Sequence, residues 1–109
     1  MKKNEGCSPR PLKGLGDLAQ LDELAEIFEA LGDLVRLQIV HLVFTNPKIC
    51  SCDLEGPTNK SQSTISHHTT ILSEVGILVG EKRGRWTYWS INPRLKGLIR
   101  VALGLGRQN

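Results

Sequence analysis

The stretch SQSTISHHTTILSEVGIL, residues 61–78, and the segment EKRGRWTYW that follows at 81–89 decide the fold of this chain. The first stretch has the pattern of an amphipathic helix, since apolar side chains recur at helical spacing along one face. That face consists of Ile65, His68, Leu72 and Val75. Asn59 or Ser61 can cap the start of this helix, and Gly76 predicts its end. In the second segment, alternating side chains on both sides of a basic turn predict a two-stranded hairpin.

The opposite face of this helix carries short and medium hydrogen-bonding side chains, namely Gln62, Ser63, Ser66, His67 and Thr70. Such side chains suit the base edges and phosphates of DNA, although a solvated helix surface has the same composition. Further polar and basic residues flank this face: Lys60, Ser61 and, in the hairpin, Lys82, Arg83 and Arg85. Because these cations complement phosphates, the whole set favours a DNA-binding surface. The hairpin aromatics are predicted to pack within the hairpin.

Three helices are predicted upstream of this stretch. The first lies between Asp17 and Gly32, and the second runs from Leu34 to about Phe44 with Asp33 as its cap. Their expected core positions are Leu21, Leu24, Phe28 and Leu31 in the first helix, and Leu37, Val40 and Phe44 in the second. A third, short helix is predicted over residues 50–55, since Gly56-Pro57 should end it. These helices, the polar-faced helix and the hairpin predict a mainly α fold with a β-hairpin.

After the hairpin, Pro93 is expected to open a last helix. Its apolar stripe consists of Leu95, Leu98, Ile99, Ala102 and Leu105. This stripe either covers the core of the monomer or, with the first helix, forms a dimer interface. The Pro- and Gly-rich residues 1–16 predict a flexible N-terminal arm, and residues 17–109 a single domain. A second core would have too little material in 109 residues.

Composition narrows the function classes. A net charge of +3 agrees with binding a polyanion. No apolar run approaches the roughly 18 residues of a membrane span, and the N-terminal residues lack a signal-peptide core, so a cytoplasmic protein without a membrane partner is expected. A chain of this size gains stability by association, which favours a homodimer. Three cysteines without an export signal favour metal binding or thiol chemistry over disulfides.

The polar-faced helix and the basic hairpin closely resemble the recognition helix and wing of the ArsR/SmtB family of metal-sensing transcriptional repressors. ALGDLVRLQIVHLV resembles the helix that leads into them, and ICSCDL, residues 49–54, resembles the Cys-x-Cys-Asp-Leu box of the arsenic, antimony, cadmium and lead sensors. The resemblance implies a winged helix-turn-helix fold, a homodimer formed through the terminal helices, and operator DNA as partner. It also implies that Cys7 on the arm can join the box cysteines, from its own or the partner subunit.

The cysteine pair at 50 and 52 raises a geometric question. On a regular helix two residues this far apart point roughly 200° away from each other, so we expect that Cys50 and Cys52 bind one ion only by distorting the start of their helix. Trivalent arsenic and antimony are satisfied by three thiolates, whereas a closed zinc site needs four ligands. With Cys7 as the third sulfur, arsenite or antimonite is the expected inducer, and no organic cofactor is expected.

Other functions are less well supported by the sequence. The nearest alternatives keep DNA binding but make the cysteines a cadmium or lead sensor, a thiol redox or polysulfide switch, or inert residues. A thiol enzyme is disfavoured, because the chain has no Gly-rich phosphate loop, no Cys-x-x-Cys and no His-x-Glu pair. The last helix, PRLKGLIRVALGLGRQN, contains no His, Asp, Glu or Cys. The zinc site that other family members build on their terminal helices is therefore not expected.

Overall fold

The computed structural model describes residues 6–106, so residues 1–5 of the predicted arm and 107–109 of the predicted domain lie outside the described residues. The helices and strands are α1 Leu18–Leu31, α2 Leu34–Thr45, β1 Ile49–Cys50, α3 Glu55–Thr58, α4 Gln62–Glu74, β2 Leu78–Arg83, β3 Trp86–Ile91 and α5 Lys96–Ala102. The three strands are antiparallel, in the order β1-β3-β2. The prediction of a mainly α fold with a β-hairpin wing is confirmed.

Short polar side chains begin the long helices. Asp17 accepts hydrogen bonds from the Ala19 and Gln20 N–H groups of α1, and Asp33 accepts one from the Arg36 N–H of α2. The bond from the Arg36 N–H, 3.1 Å long, lowers the pKa of Asp33 below its usual range. Of the two candidates for the cap of α4, Ser61 is the cap, since its hydroxyl accepts from the Thr64 N–H. Asn59 instead ends α3 in the left-handed region, at φ 57°.

The core lies where α1, α2, α4, α5 and the hairpin meet. Its fully buried side chains are Ile27, Ile39, Val40, Val43, Leu54, Ile65, Leu72, Ile77 and Ile99. The predicted inner face of α4 is confirmed at Ile65 and Leu72. In α1 the prediction is confirmed for Leu31, which is buried, and wrong for Leu21 and Phe28, which are exposed. The helix instead buries Ile27 and Ala30 beside Leu31.

The segment around the two box cysteines differs most from the prediction. Ile49 and Cys50 are extended and pair with Trp89 and Tyr88 of β3, and a 3-10 turn, Ser51–Leu54, follows. Helix α3 then continues through Gly56 and Pro57, so the prediction of a helix broken there is wrong. Pro57 lies in the first turn of α3, where its missing N–H costs no helical hydrogen bond.

Helices α1 and α5 leave apolar surface uncovered. Leu95 and Ile99 are buried in the monomer core, so part of the stripe of the last helix serves the monomer. Large apolar side chains of α1 and α5 remain exposed, namely Leu18, Leu21, Phe28 and Val101. Residues 7–17 contain no helix or strand and are exposed. Within residues 6–106, no helix has both the length and the apolar character that a membrane crossing needs.

Candidate DNA-binding surface and cysteine site

Helix α4 presents its predicted polar face to solvent. The exposed side chains of this face are Gln62, Ser63, Ser66, His67 and Thr70. Its inner positions Ile65, Thr69 and Leu72 are buried, which fixes the rotation of the helix on the core. Lys60 and Ser61 precede the face and are exposed as well. The structure therefore brings the predicted residues of the helix together on one accessible surface, which we call the reading face.

The tip of the hairpin places cations beside the reading face. Lys82, Arg83 and Arg85 are all exposed. Arg83 is bound to Glu81 at 3.4 Å, and its guanidinium lies 5.1 Å from the centre of the Tyr88 ring, so part of its charge is used within the wing. Lys82 and Arg85 have no acidic partner within residues 6–106. These two side chains are therefore the strongest candidates for contacts with phosphate.

A cleft of about 480 Å³ separates α4 from the wing. Polar side chains from both elements line it, together with Ser51 of the cysteine turn. Trp89 also lines the cleft, packs against the core and passes so close to Gly80 that a Cβ there would lie 2.7 Å from the indole ring. The prediction that hairpin aromatics pack internally is confirmed for Trp89, whereas Trp86 is exposed beside the Arg85 guanidinium.

One histidine of α4 links it to the helices beneath. The Nδ1 atom of His68 lies 3.3 Å from Nη1 of Arg36, and Nε of Arg36 donates to the Ala30 carbonyl at 2.6 Å. Since a guanidinium only donates, Nδ1 of His68 is the acceptor. Burial lowers the pKa of His68 below its usual value, and the nearby Arg36 charge acts in the same direction. This supports the interpretation of His68 as a packing residue rather than a metal ligand.

The sulfurs of Cys50 and Cys52 face each other 2.6 Å apart. Cys50 is extended and caps the 3-10 turn, with its sulfur accepting from the Cys52 N–H at 3.3 Å. Its own N–H donates to the Asp53 carboxylate at 3.0 Å. The expectation of sulfurs held apart on a regular helix is therefore wrong. The reason is that Cys50 belongs to β1 and precedes the turn, so the helical angle between the two residues does not apply.

The two thiols differ in environment. Cys50 is 4% exposed, whereas Cys52 is exposed to solvent. The thiol of Cys52 donates to the Cys50 sulfur, and this hydrogen bond raises the pKa of Cys52 to about 11. A cation that binds Cys52 must therefore displace a firmly held proton.

Cys7 is not brought to this pair within one chain. It is exposed on the segment before α1, and no group of three His, Cys, Asp or Glu side chains in residues 6–106 is placed to hold a metal ion. The structure thus assembles two of the three predicted ligands. Sequence reasoning missed the strand pairing of Ile49 and Cys50 with the wing, although the β-branched Ile49 after the left-handed Lys48 is compatible with a short strand.

Comparisons with known proteins agree with this geometry. Residues 33–78 match the model of the bacterial regulatory protein, arsR family. The chain is 38% identical to an uncharacterised HTH-type transcriptional regulator of Methanocaldococcus jannaschii, over 77% of this chain and 96% of the relative. It is 36% identical to an arsenical resistance operon repressor of Escherichia coli, over 64% of this chain and 60% of that protein. A cadmium resistance regulatory protein CadC homologue of Staphylococcus aureus is 32% identical, over 79% of this chain and 74% of the homologue.

Solved structures share the fold. The AntR antimony-specific transcriptional repressor superimposes with a TM-score of 0.72 at 22% identity, over 92% of this chain and 94% of that one. A homodimeric winged helix-turn-helix domain from Mycobacterium bovis, a possible ArsR-family regulator, gives 0.69 at 24% identity, over 84% and 88%. The reading face and the basic wing thus stand on a winged-helix scaffold. The chain belongs to the ArsR family of winged-helix transcriptional regulators.

Proposed function

We propose that this protein is an operator-binding repressor that releases DNA when a thiophilic ion binds Cys50 and Cys52. The observation that carries the proposal is the pair of facing sulfurs, 2.6 Å apart, in the turn that packs against α4 and is hydrogen-bonded to the wing strand β3. Thiolates select soft ions, and few other side-chain arrangements offer two of them so close together. The names of relatives, arsenical and cadmium resistance regulators, support the same class of ligand.

DNA binding rests on the reading face and the wing. The N-terminal part of a recognition helix contacts bases, and Gln62, Ser63 and Ser66 occupy that part of α4. Lys60, Lys82 and Arg85 supply cations for the phosphates. In a homodimer two such surfaces would lie about 34 to 36 Å apart and match a two-fold symmetric operator. The exposed apolar residues of α1 and α5 support a dimer formed through the terminal helices.

Trivalent arsenic or antimony is the proposed inducer, with Cys7 as the third ligand. The chain from Cys7 to Leu18 can span at most about 40 Å when extended, which sets the radius within which Cys7 can meet a cysteine pair. Three thiolates satisfy a trivalent ion that carries a lone pair. Cadmium and lead are the alternatives, because the pair of sulfurs alone also suits them.

Ion binding conflicts with the geometry of the ion-free turn. In the ion-free turn, the sulfur of Cys50 accepts hydrogen bonds from the thiol and the backbone N–H of Cys52. An ion that binds both sulfurs replaces the thiol proton and takes up a lone pair of the Cys50 sulfur. Chelation must therefore break the hydrogen bond between the two thiols and reorient their side chains. Since Cys50 is paired with Tyr88, this movement strains the attachment of β1 to the wing.

The experiment is a fluorescence anisotropy titration of labelled operator with arsenite, antimonite, Cd²⁺, Pb²⁺ and Zn²⁺. Wild-type protein should lose operator affinity by a factor on the order of 5 to 150, the usual range of allosteric coupling. Cys50→Ser and Cys52→Ser should bind operator as the wild type does and lose the response. Serine at position 50 still caps the turn, so the fold is expected to survive. If both variants remain inducible, the cysteines are not the sensor.

Four further substitutions test the ligand set and the DNA surface. Cys7→Ser should weaken release by arsenite and leave release by Cd²⁺ less affected. Lys82→Ala and Arg85→Ala should each lower the slope of log affinity against log salt by about one, since each removes a phosphate contact. Arg83→Ala should lower it less, because Arg83 is paired with Glu81.

The pH dependence separates the two classes of ion. Cd²⁺ displaces a proton from each thiol, so its apparent affinity should rise about tenfold per pH unit for each proton displaced, up to the raised pKa of Cys52, about 11. Arsenous acid, As(OH)₃, condenses with three thiols to give As(SR)₃ and three waters, and no net proton is released. Its affinity should therefore be nearly flat from pH 6 to 8. A steep pH dependence for arsenite would contradict this chemistry.

A redox switch is the second candidate, favoured by one observation. The Cys52 thiol points directly at the Cys50 sulfur, so oxidation of the two thiols by peroxide, with release of two waters, would join neighbouring atoms. Mass spectrometry of protein treated with peroxide or polysulfide, beside arsenite, tests it. A Cys50–Cys52 disulfide that releases operator as effectively as arsenite would favour the redox function.

A further inference from the structure

We infer that Ser51 transmits ion binding from the cysteines to the reading face through a hydrogen bond to Gln62. The inference rests on the proposed function and names the route by which that function regulates DNA binding. Nε2 of Gln62 donates to Oγ of Ser51 at 3.5 Å. Within residues 6–106, this is the one side-chain hydrogen bond between the cysteine turn and α4.

Ser51 lies where a movement of the two cysteines displaces it. It lies between Cys50 and Cys52 in the chain, is 8% exposed, and has Gln62 as its hydrogen-bond partner. A movement of either cysteine backbone is passed to Ser51 directly, because no residue intervenes. Since the bond to Gln62, at 3.5 Å, is at the long limit for a hydrogen bond, a small shift of the Ser51 backbone on ion binding is enough to break it.

Gln62 lies where a change at Ser51 can alter DNA binding. It is the first residue of α4, exposed on the reading face, and it lines the cleft between α4 and the wing together with Ser51. A glutamine amide has two N–H donors and a carbonyl acceptor, so the bond to Ser51 uses one donor and leaves the rest for a base edge or phosphate. The bond therefore favours one orientation of the side chain before it meets the operator.

The expected size of the effect follows from pre-organisation. Ordering one flexible side chain on binding costs a factor of roughly two to ten in affinity, and the Ser51 bond removes this cost in the ion-free protein. When an ion breaks the bond, the Gln62 side chain must again be ordered on binding DNA, and operator affinity falls by this factor. The loss of the Ser51–Gln62 bond thus accounts for part of the fall in operator affinity, and the strain on β1 and the wing accounts for the rest.

The test compares Ser51→Ala with the matched control Ser73→Ala, an exposed serine at the far end of α4. Operator affinity is measured by anisotropy with and without saturating arsenite, and arsenic content by mass spectrometry. Ser51→Ala should still bind arsenite. Without arsenite its operator affinity should be two- to tenfold lower than that of the wild type, and its arsenite-dependent loss should be smaller by the same factor. Ser73→Ala should match the wild type in both.

A double-mutant cycle and a spectroscopic signal exclude a merely structural role for Ser51. Ser51→Ala and Gln62→Ala should be non-additive in ion-free operator affinity, because either change breaks the same link. The side-chain amide of Gln62 gives NMR resonances that can be identified by their loss in Gln62→Ala. In the absence of DNA, these resonances should shift when arsenite is added to the wild-type protein. In Ser51→Ala the same resonances should stay in place.

The outcomes separate the inference from the proposed function. If wild type and Ser51→Ala release the operator by the same factor, the transmission through Ser51 is overturned while ion sensing stands. Additive effects in the cycle also overturn it. If wild type binds arsenite and keeps its operator affinity, the proposed function fails, and the transmission fails with it.

Discussion

Helix α4 and the cysteine turn before it are neighbours in the chain but are held in place in different ways. Helix α4 is specified locally, by the Ser61 cap, by buried residues at helical spacing and by Gly76 after its end. The cysteine turn takes its shape from a distant segment, since Ile49 and Cys50 pair with Trp89 and Tyr88 of β3. In the proposed sensor, the cysteine turn can therefore deform while helix α4 stays folded.

The largest expected effect is on the core beneath α4. Leu72→Ala removes a fully buried side chain and should lower the free energy of unfolding by about 2 to 5 kcal/mol, as measured by urea denaturation. Ser73→Ala, at the next and exposed position, should change it by less than about 0.5 kcal/mol. Equal effects at the two positions would contradict the assigned rotation of α4.

A substitution in the wing should disturb the cysteine turn from a distance. In Gly80→Ala the new methyl group would lie 2.7 Å from the Trp89 ring, which is paired to Ile49 of β1. Overpacking of this kind costs about 1 to 3 kcal/mol. The exposed Val79→Ala in the same strand is the control. Thermal melts give the stability, and arsenite titration should show altered affinity in Gly80→Ala alone. An unchanged ion affinity would weaken the claim that the wing shapes the turn.

The cap of α4 should have a smaller effect. Ser61→Ala removes the side-chain acceptor for the Thr64 N–H and should cost about 1 kcal/mol in denaturant unfolding. Asn59→Gly, at the left-handed residue that ends α3, should be neutral within a few tenths of a kcal/mol. A larger loss of stability in Asn59→Gly than in Ser61→Ala would make Asn59 the cap of α4 and contradict the structure.

The smallest effect is the pH dependence of His68. Because burial lowers the pKa of His68 in the folded protein, the unfolded chain binds more protons below about pH 6.5. The stabilising contribution of neutral His68 is present above that pH and is lost as the pH falls. His68→Gln should therefore flatten the decline in unfolding free energy between pH 7.5 and 5. Ser73→Ala, which removes no titratable group from the exposed surface of α4, is the control and should keep the wild-type slope.

Much of this architecture could be predicted from sequence, for a physical reason. Caps such as Asp17, Asp33 and Ser61 act within one helical turn, and the inner face of α4 recurs at a fixed spacing, so both are visible in a short window. The reading face and the basic wing tip follow from the same patterns. The resemblance of the Cys-x-Cys box to known sensors singled out Cys50 and Cys52, whose sulfurs face each other in the structure.

The sequence was misleading where a distant contact decides the conformation. The helical interpretation of residues 50–55 ignored the pairing with β3 and therefore placed the sulfurs apart, whereas the structure places them together. Likewise, α1 has two apolar stripes, and only packing against α2 decides that Ile27 is buried and Phe28 exposed. The local spacing of apolar residues does not show which stripe of α1 is buried, or that Cys50 lies in a strand rather than in a helix.

The most direct test measures ion content and operator affinity in one sample. Wild-type protein is titrated with arsenite on labelled operator while bound arsenic is counted by mass spectrometry of the same mixture. The account predicts that anisotropy falls in parallel with occupancy of the Cys50 and Cys52 site, and that neither changes in the Cys50→Ser variant. Full occupancy with undiminished operator affinity would contradict it.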